Sequence, residues 1–224
     1  MDKVFGAIAA DVVDSTSLSR VDLLHLKDEI SNCFADARYY ASIQFWGRLV
    51  RGDSVECCLQ DPRMALRLAL LIKCRIKAWA GDLACSEDLQ DFGVRFSIGV
   101  GQMRIVDPAI DVMDGEAIYI AGRNLSKIAA SSSTSSFGFV AVDRNLTDLI
   151  NVNITLLDDL INSLSTKQSS VIYQLLLGLN QIEIAKQLYI SQSSVNSRAQ
   201  KAGWRLISDT LRVYERINFM DYVV

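Results

Sequence analysis

The chain predicts an α+β fold, a β-α-β-β-α-β sheet with helices on one face followed by a small all-α module. Three observations carry that expectation. Short apolar runs of β character alternate with longer stretches of helical period, in the order strand, helix, strand, strand, helix, strand. Gly52-Asp53 stands between two such runs, 43–50 and 54–59, and marks a two-residue hairpin turn, because glycine accepts the positive φ that tight turns need. Charge is also split along the chain: residues 1–163 carry 16 Lys and Arg against 22 Asp and Glu, and residues 164–224 carry 7 against 4. The change of sign separates a first domain, 1–145, from a basic one, 164–224, with a linker at 146–163.

Each element follows from its own pattern. VFGAIAADVV (4–13) is a short, nearly all-apolar run, as a buried central strand requires. A helix follows, with Leu23, Leu26, Ile30, Phe34 and Ala37 at helical spacing. After the hairpin of 43–60, Pro62 starts a second amphipathic helix from a favoured first-turn position. VRFSIGVG (94–101) alternates, with Val94, Phe96, Ile98 and Val100 on one face. Residues 116–130 read as a helix, SSSTSS (131–136) as a polar break, and FGFVAV (137–142) as a further strand.

Composition excludes several classes. The 224 residues are 50% hydrophobic with only two prolines, so a sizeable core is expected rather than disorder. The start, MDKVFGAIAADVVDS, lacks the basic head and long apolar stretch of a secretory signal, and the longest apolar runs are interrupted by charge, so no membrane span is expected. Cys33, Cys57, Cys58, Cys74 and Cys85 show no metal-ligand spacing, and there is a single histidine, His25. Zinc and haem are therefore not expected, and a reducing cytoplasm is. That location sets aside adhesion as the role of the Arg51-Gly52-Asp53 tripeptide.

The element order is that of a split β-α-β, ferredoxin-like core, in which the first strand lies beside the third. The C-terminal end of the first strand and the tip of the hairpin then meet. This brings Asp11, with Asp14 just beyond, next to Asp53. Two carboxylates at one sheet edge repel unless a cation sits between them, and Mg²⁺, completing its shell with phosphate oxygens and water, suits the pair. The competing reading makes Asp11 a helix cap and Asp53 a turn residue.

GAIAADVVDSTSLS, RLVRGDSVE, VRFSIGVG and DGEAIYIAGRNL occur in the order and spacing of the class III nucleotidyl cyclases, and more closely resemble the bacterial SatD family, over residues 4–130. The resemblance implies a cyclase-like sheet in which Asp11 and Asp53 match the metal-binding aspartates. Arg123 matches the arginine that stabilises charge on the transferring phosphate, for which its fixed fork of donors is suited. Asp14, Asp111, Asp114 and Tyr119 fall in the nucleotide-binding region, Asp111 or Asp114 matching the base-reading acid. Two positions depart from the cyclase pattern. Tyr119 stands where an asparagine orients the ribose, and Leu49 where a lysine reads the purine. The metal and phosphate features are kept while the base and ribose readers are not. Because in-line positioning of the hydroxyl is worth many orders of magnitude in rate, this implies a nucleotide-binding domain that has lost turnover. Cyclase-like domains complete their sites across a two-fold pair, so a homodimer is expected.

The last segment carries its own signal. Ser165 or Thr166 caps a helix holding Val171, Ile172, Leu175 and Leu176, QIEIAKQL (181–188) forms a short second helix, and Ser191 caps a third. Gly178, Glu183, Ile184, Ala185, Leu188, Ile190, Ser191, Ser194 and Val195 resemble the helix-turn-helix of LuxR-type regulators and sigma-factor region four. From Ile184 to Ser208 there is no acidic residue. The resemblance implies that the third helix enters the major groove of double-stranded DNA. Gln192, Ser193, Asn196, Ser197 and Gln200 would face the bases, while Arg198, Lys201 and Arg205 would hold phosphates. The bland alternative is a protein-interaction module with a polar face. Together these point to a cytoplasmic, homodimeric DNA-binding regulator with a degenerate cyclase-like sensor. The alternative is an active nucleotidyl cyclase or nucleotidyltransferase with a targeting arm.

Overall fold

The computed structural model describes residues 3–50, 52–81, 89–90, 93–131 and 135–222. Arg51, Cys85 and residues 132–134 of the polar break lie outside that set. Strand β1 (Val4–Val12) runs centrally, antiparallel to both β3 (Ser54–Leu59) and β4 (Val94–Asp107), and β2 (Phe45–Val50) pairs with the outer edge of β3. The order β2-β3-β1-β4 is the split β-α-β arrangement expected from the sequence. Beyond β4 the sheet gains β5 (Val112–Gly115), antiparallel after a register shift at Met103–Ile105, and β6 (Phe137–Ala141), parallel to β4. The predicted 94–101 strand thus continues to Asp107, and β5 is an element the sequence pattern did not reveal.

Helices α1 (Arg20–Tyr39) and α2 (Ala65–Ala80) cover one face of the sheet, where Ile8, Ala10 and Val12 of β1 join Leu26, Ile30, Phe34 and the apolar side of α2 in the main core. Ser19 caps α1, accepting from the Asp22 amide, so Asp11 is not its cap. The expectation of helices on one face is corrected by α3 (Glu116–Ala130). Its Ala117 and Ala121 pack on Ala7 and Ala9, which alternate with Ile8 and therefore point to the opposite side. Small residues explain how α3 sits so close. A Cβ placed at Gly99 would stand 2.2 Å from the carbonyl oxygen of Ala117.

Residues 146–163, expected as a linker, instead form most of a 19-residue helix, α4 (Arg144–Asn162), which buries Leu146, Ile150, Ile154, Leu157 and Ile161. Its asparagine and threonine serve the edge strand β6. Asn151 accepts from the Phe139 amide and donates to the Phe139 carbonyl, both at 2.8 Å, and Thr147 Oγ1 accepts from the Ala141 amide at 3.0 Å. Main-chain groups that a further strand would have paired are thus satisfied by side chains.

The C-terminal module is α5 (Thr166–Leu176), α6 (Gln181–Gln187), α7 (Gln192–Lys201) and α8 (Trp204–Tyr214). Ser191, predicted as a cap, accepts from the Ser194 amide, Ser165 rather than Thr166 caps α5 in a capping box with Gln168, and Asn180 with Glu183 forms a second box. The module is not a free appendage, because its buried residues belong to the same core as those of the sheet. Tyr173 donates to Asp36 at 2.7 Å, and Arg67 pairs with Glu215 at 2.7 Å while donating to the Leu176 carbonyl at 3.0 Å. The end of the chain folds back on the first domain. Tyr214 donates to the Pro62 carbonyl at 3.3 Å, and Tyr214 and Phe219 pack against Phe139. Its anchors are Ile207, Leu211, Tyr214 and Phe219, whereas Leu206 and Met220 are exposed.

Candidate functional site

The sheet edge brings Asp11 and Asp53 together. Asp11 is the penultimate residue of β1, opposite Ser54 on β3 and Arg95 on β4. Asp53 directly precedes β3 at the hairpin tip, after Gly52 at φ +93°. The loop is stitched to β1 where the Val12 amide donates to the Asp53 carbonyl at 3.1 Å. The Asp53 carboxylate accepts from Ser15 Oγ at 2.5 Å and from Ser54 Oγ at 3.4 Å. Ser15 lies in the turn that follows β1, opened by Asp14 in the left-handed conformation at φ +50°. Asp14 itself is exposed at this turn and makes no side-chain cap.

Asp11 is the electrostatically unusual member. Partial burial pushes its carboxyl above the ordinary value, the Arg95 guanidinium opposes that, and the negative charge of Asp53 adds to it. Arg95 stands at 3.7 Å from Asp11 Oδ2, while Oδ1 is buried and has no hydrogen-bond partner. A buried acceptor left unpaired is costly, and two adjacent carboxylates sharpen the cost. The donor set suits a hard divalent cation: two carboxylates, one with a free buried oxygen. Among the described residues no cluster of three or more potential ligands forms, so the remaining ligands would be water and phosphate oxygens, as Mg²⁺ accepts. Sequence reasoning missed Arg95 and Ser15, since only strand register shows that Arg95 faces Asp11.

The other residues assigned to this region lie apart from the carboxylate pair. Asp111, at φ +53°, accepts from Arg48 through its carbonyl at 2.6 Å and pairs with it through its carboxylate at 3.2 Å. Asp114 accepts from Arg104 Nε at 2.6 Å. Tyr119 and Arg123, one turn apart on α3, stack with the guanidinium 4.3 Å from the ring centre. Asp114, Tyr119 and Arg123 line a shallow groove with Arg48, Glu56 and Met113 on the α3 face of the sheet. Among the described contacts, none joins Arg123 to Asp11 or Asp53. Leu49 pairs with Val55 and packs against the main core, on the opposite face, so Arg48 is the residue of β2 that faces the groove.

A second surface is built by α6 and α7. Ile184, Val195 and Ala199 are buried, which fixes how the two helices cross. Tyr189 in the turn adopts φ +52° and is almost fully exposed. Gln192, Ser193, Asn196, Ser197, Gln200 and Lys201 are exposed along α7, and Arg198 is half-buried. Ser193 shares a hydrogen bond with Ser191 at 2.9 Å, and Asn196 accepts from Gln181 at 3.4 Å. Arg205 lies beyond the break at Gly203, on α8, where it meets Asp209 at 3.8 Å. It is therefore carried by a different helix from the other basic residues.

Known proteins add little. No family model matches the chain, and no curated protein matches it. Among solved structures it is similar to a bacterial light-regulated adenylyl cyclase, at 15% identity and a TM-score of 0.41, covering 62% of this chain and 76% of that one. It is also similar to the non-canonical dimeric guanylyl cyclase domain of a fusion protein from the aquatic fungus Blastocladiella emersonii, at 14% identity and a TM-score of 0.38, covering 55% of this chain and 72% of that one. The overlap is partial in both. Among the described residues no helix is long and apolar enough to cross a membrane.

Proposed function

We propose that the chain is a DNA-binding regulator whose sheet domain, cyclase-like and of the SatD type, binds a nucleotide with Mg²⁺ but does not cyclise it. The observation that carries the nucleotide half is the Asp11–Asp53 edge, where Asp11 Oδ1 is buried without a partner. Bound there, Mg²⁺ would offset the two carboxylates and draw phosphate oxygens to the edge. Ser15 and the Val12 amide hold Asp53 in place, and Arg95 limits the net negative charge. Leu49 faces the core and offers no polar group to a base, and Tyr119 stacks on Arg123 where a ribose-orienting amide would be needed. Arg123 has no contact with the carboxylates of its own chain among the described residues, which fits a homodimer in which the arginine comes from the partner.

The DNA half rests on α7 as the reading helix of a helix-turn-helix. Its buried Val195 and Ala199 leave Gln192, Asn196 and Gln200 outward, and such amides pair with adenine edges. A thermal-shift screen of ATP and GTP, with and without Mg²⁺, tests the nucleotide half. A Mg²⁺-dependent rise in Tm is expected for the wild type and none for Asp53→Ala. Equal shifts in both proteins, or none in either, would remove the site. Cyclic nucleotide that forms with the wild type and disappears in Asp11→Ala would restore the enzyme reading.

A further inference from the structure

Helix α4 buries one side and leaves the other unusually apolar. Leu149, Val152 and Leu156 are 68%, 63% and 67% exposed, and from Leu149 to Leu157 the helix carries no charged residue. A helix face meant for water carries charge, and single exposed leucines need no explanation, but a stripe at i, i+3 and i+7 does. Helix α8 adjoins it: Asn153 and Ile154 of α4 and Thr210 and Val213 of α8 line one groove. Val213 and, two turns back, Leu206 are 68% and 63% exposed.

We infer that this face docks a second copy of the chain about a two-fold axis near Val152. The stripe is self-complementary. Antiparallel pairing of two α4 helices sets Leu149 opposite Leu156 of the second copy, and the reverse, with the Val152 residues meeting at the centre. Five such side chains expose on the order of 500 Å² of apolar surface, more than half of the roughly 800 Å² that each partner buries in a standard interface. This face lies on the other side of the sheet from α3 and Arg123, so it is distinct from a dimer that completes the nucleotide site. Because α8 follows α7 across Gly203, an axis here presents two α7 helices together, as paired half-sites require. That consequence rests on the DNA reading, whereas the contact itself does not.

Position-specific cross-linking tests it in the full chain without DNA. Cys33, Cys57, Cys58 and Cys74 are buried, so in a Cys85→Ser background an introduced surface thiol stands out. Under mild copper-catalysed oxidation, Val152→Cys should form a covalent dimer at least tenfold faster than Leu24→Cys, an exposed position on α1. In the Val152→Cys background, Leu149→Asp should slow the reaction several-fold, whereas Val21→Asp, at an exposed position on α1, should leave it unchanged. Equal rates for the two thiols, or no slowing by Leu149→Asp, would overturn the interface. Cross-linking without any DNA affinity would leave the interface standing and fell only the DNA reading.

Discussion

Asp158 and Asp11 are both withdrawn from water, and the chain treats them in opposite ways. Asp158 of α4 is fully buried, 3.1 Å from Lys73 of α2, and its oxygens accept from the Ser136 amide at 2.6 Å and the Ser136 hydroxyl at 2.8 and 3.0 Å. Lys73 also donates to Ser136 Oγ at 2.6 Å and to the Val94 carbonyl at 3.2 Å. Burial pulls its ammonium below the ordinary lysine value, and Asp158 resists that pull. Every charge there is answered within the chain. At the sheet edge Asp11 meets Arg95 at 3.7 Å, and its Oδ1 is buried with no hydrogen-bond partner among the described residues. The contrast separates charge used to hold α4 against α2 from charge left open to a ligand.

The comparison predicts its largest effect at Lys73. Lys73→Met leaves Asp158 buried and uncompensated and should cost about 3–5 kcal/mol in denaturant unfolding. Lys73→Met with Asp158→Leu should recover most of that loss. A single variant as stable as the wild type would show that the pair is not a fastening.

Open charges and amides on α7 should behave in the reverse way, with folding untouched and binding altered. Asn196→Ala should cost on the order of 1–3 kcal/mol at a preferred DNA site and little on random sequence. Arg198→Ala and Lys201→Ala should weaken binding to all sequences, each flattening the log–log salt slope by about one. Competition titrations across salt distinguish the two patterns. Absence of any salt-dependent DNA affinity in the wild type would make the module a protein-interaction domain.

The smallest effect is expected at Asp11, and its sign changes with Mg²⁺. A carboxyl whose pKa is raised on folding is protonated more readily in the folded chain, so stability falls as pH rises from the unfolded value, 3.8, through the raised one. Without metal, Asp11→Asn should match the wild type below that window and exceed its Tm above it. With Mg²⁺ and nucleotide at neutral pH, the wild type should become the more stable. An Asn variant that is less stable at neutral pH without metal would mean that Arg95 already satisfies the carboxylate.

The sequence by itself determined the order of the first four strands, the core face of α1 and the cap at Ser191, whereas the fold chose Ser165 over Thr166 as the cap of α5. It also placed Asp11 beside Asp53, since the split topology leaves few ways to order four strands. What lay beyond it depended on pairing between distant segments. Arg95 meets Asp11, and Leu49 turns from the groove to the core, through register alone, where one residue of slip would exchange the faces. Helix α3 took the second face because Gly99, Ala7 and Ala9 leave room for it, which no periodicity within α3 reveals. Residues 146–163 read as a linker because the change of charge sign falls there, and the asparagines and threonines of α4 are poor helix formers in isolation. Only the folded sheet gives them their reason. Thr147 and Asn151 bond the free edge of β6, and burial of the helix's apolar side outweighs local propensity.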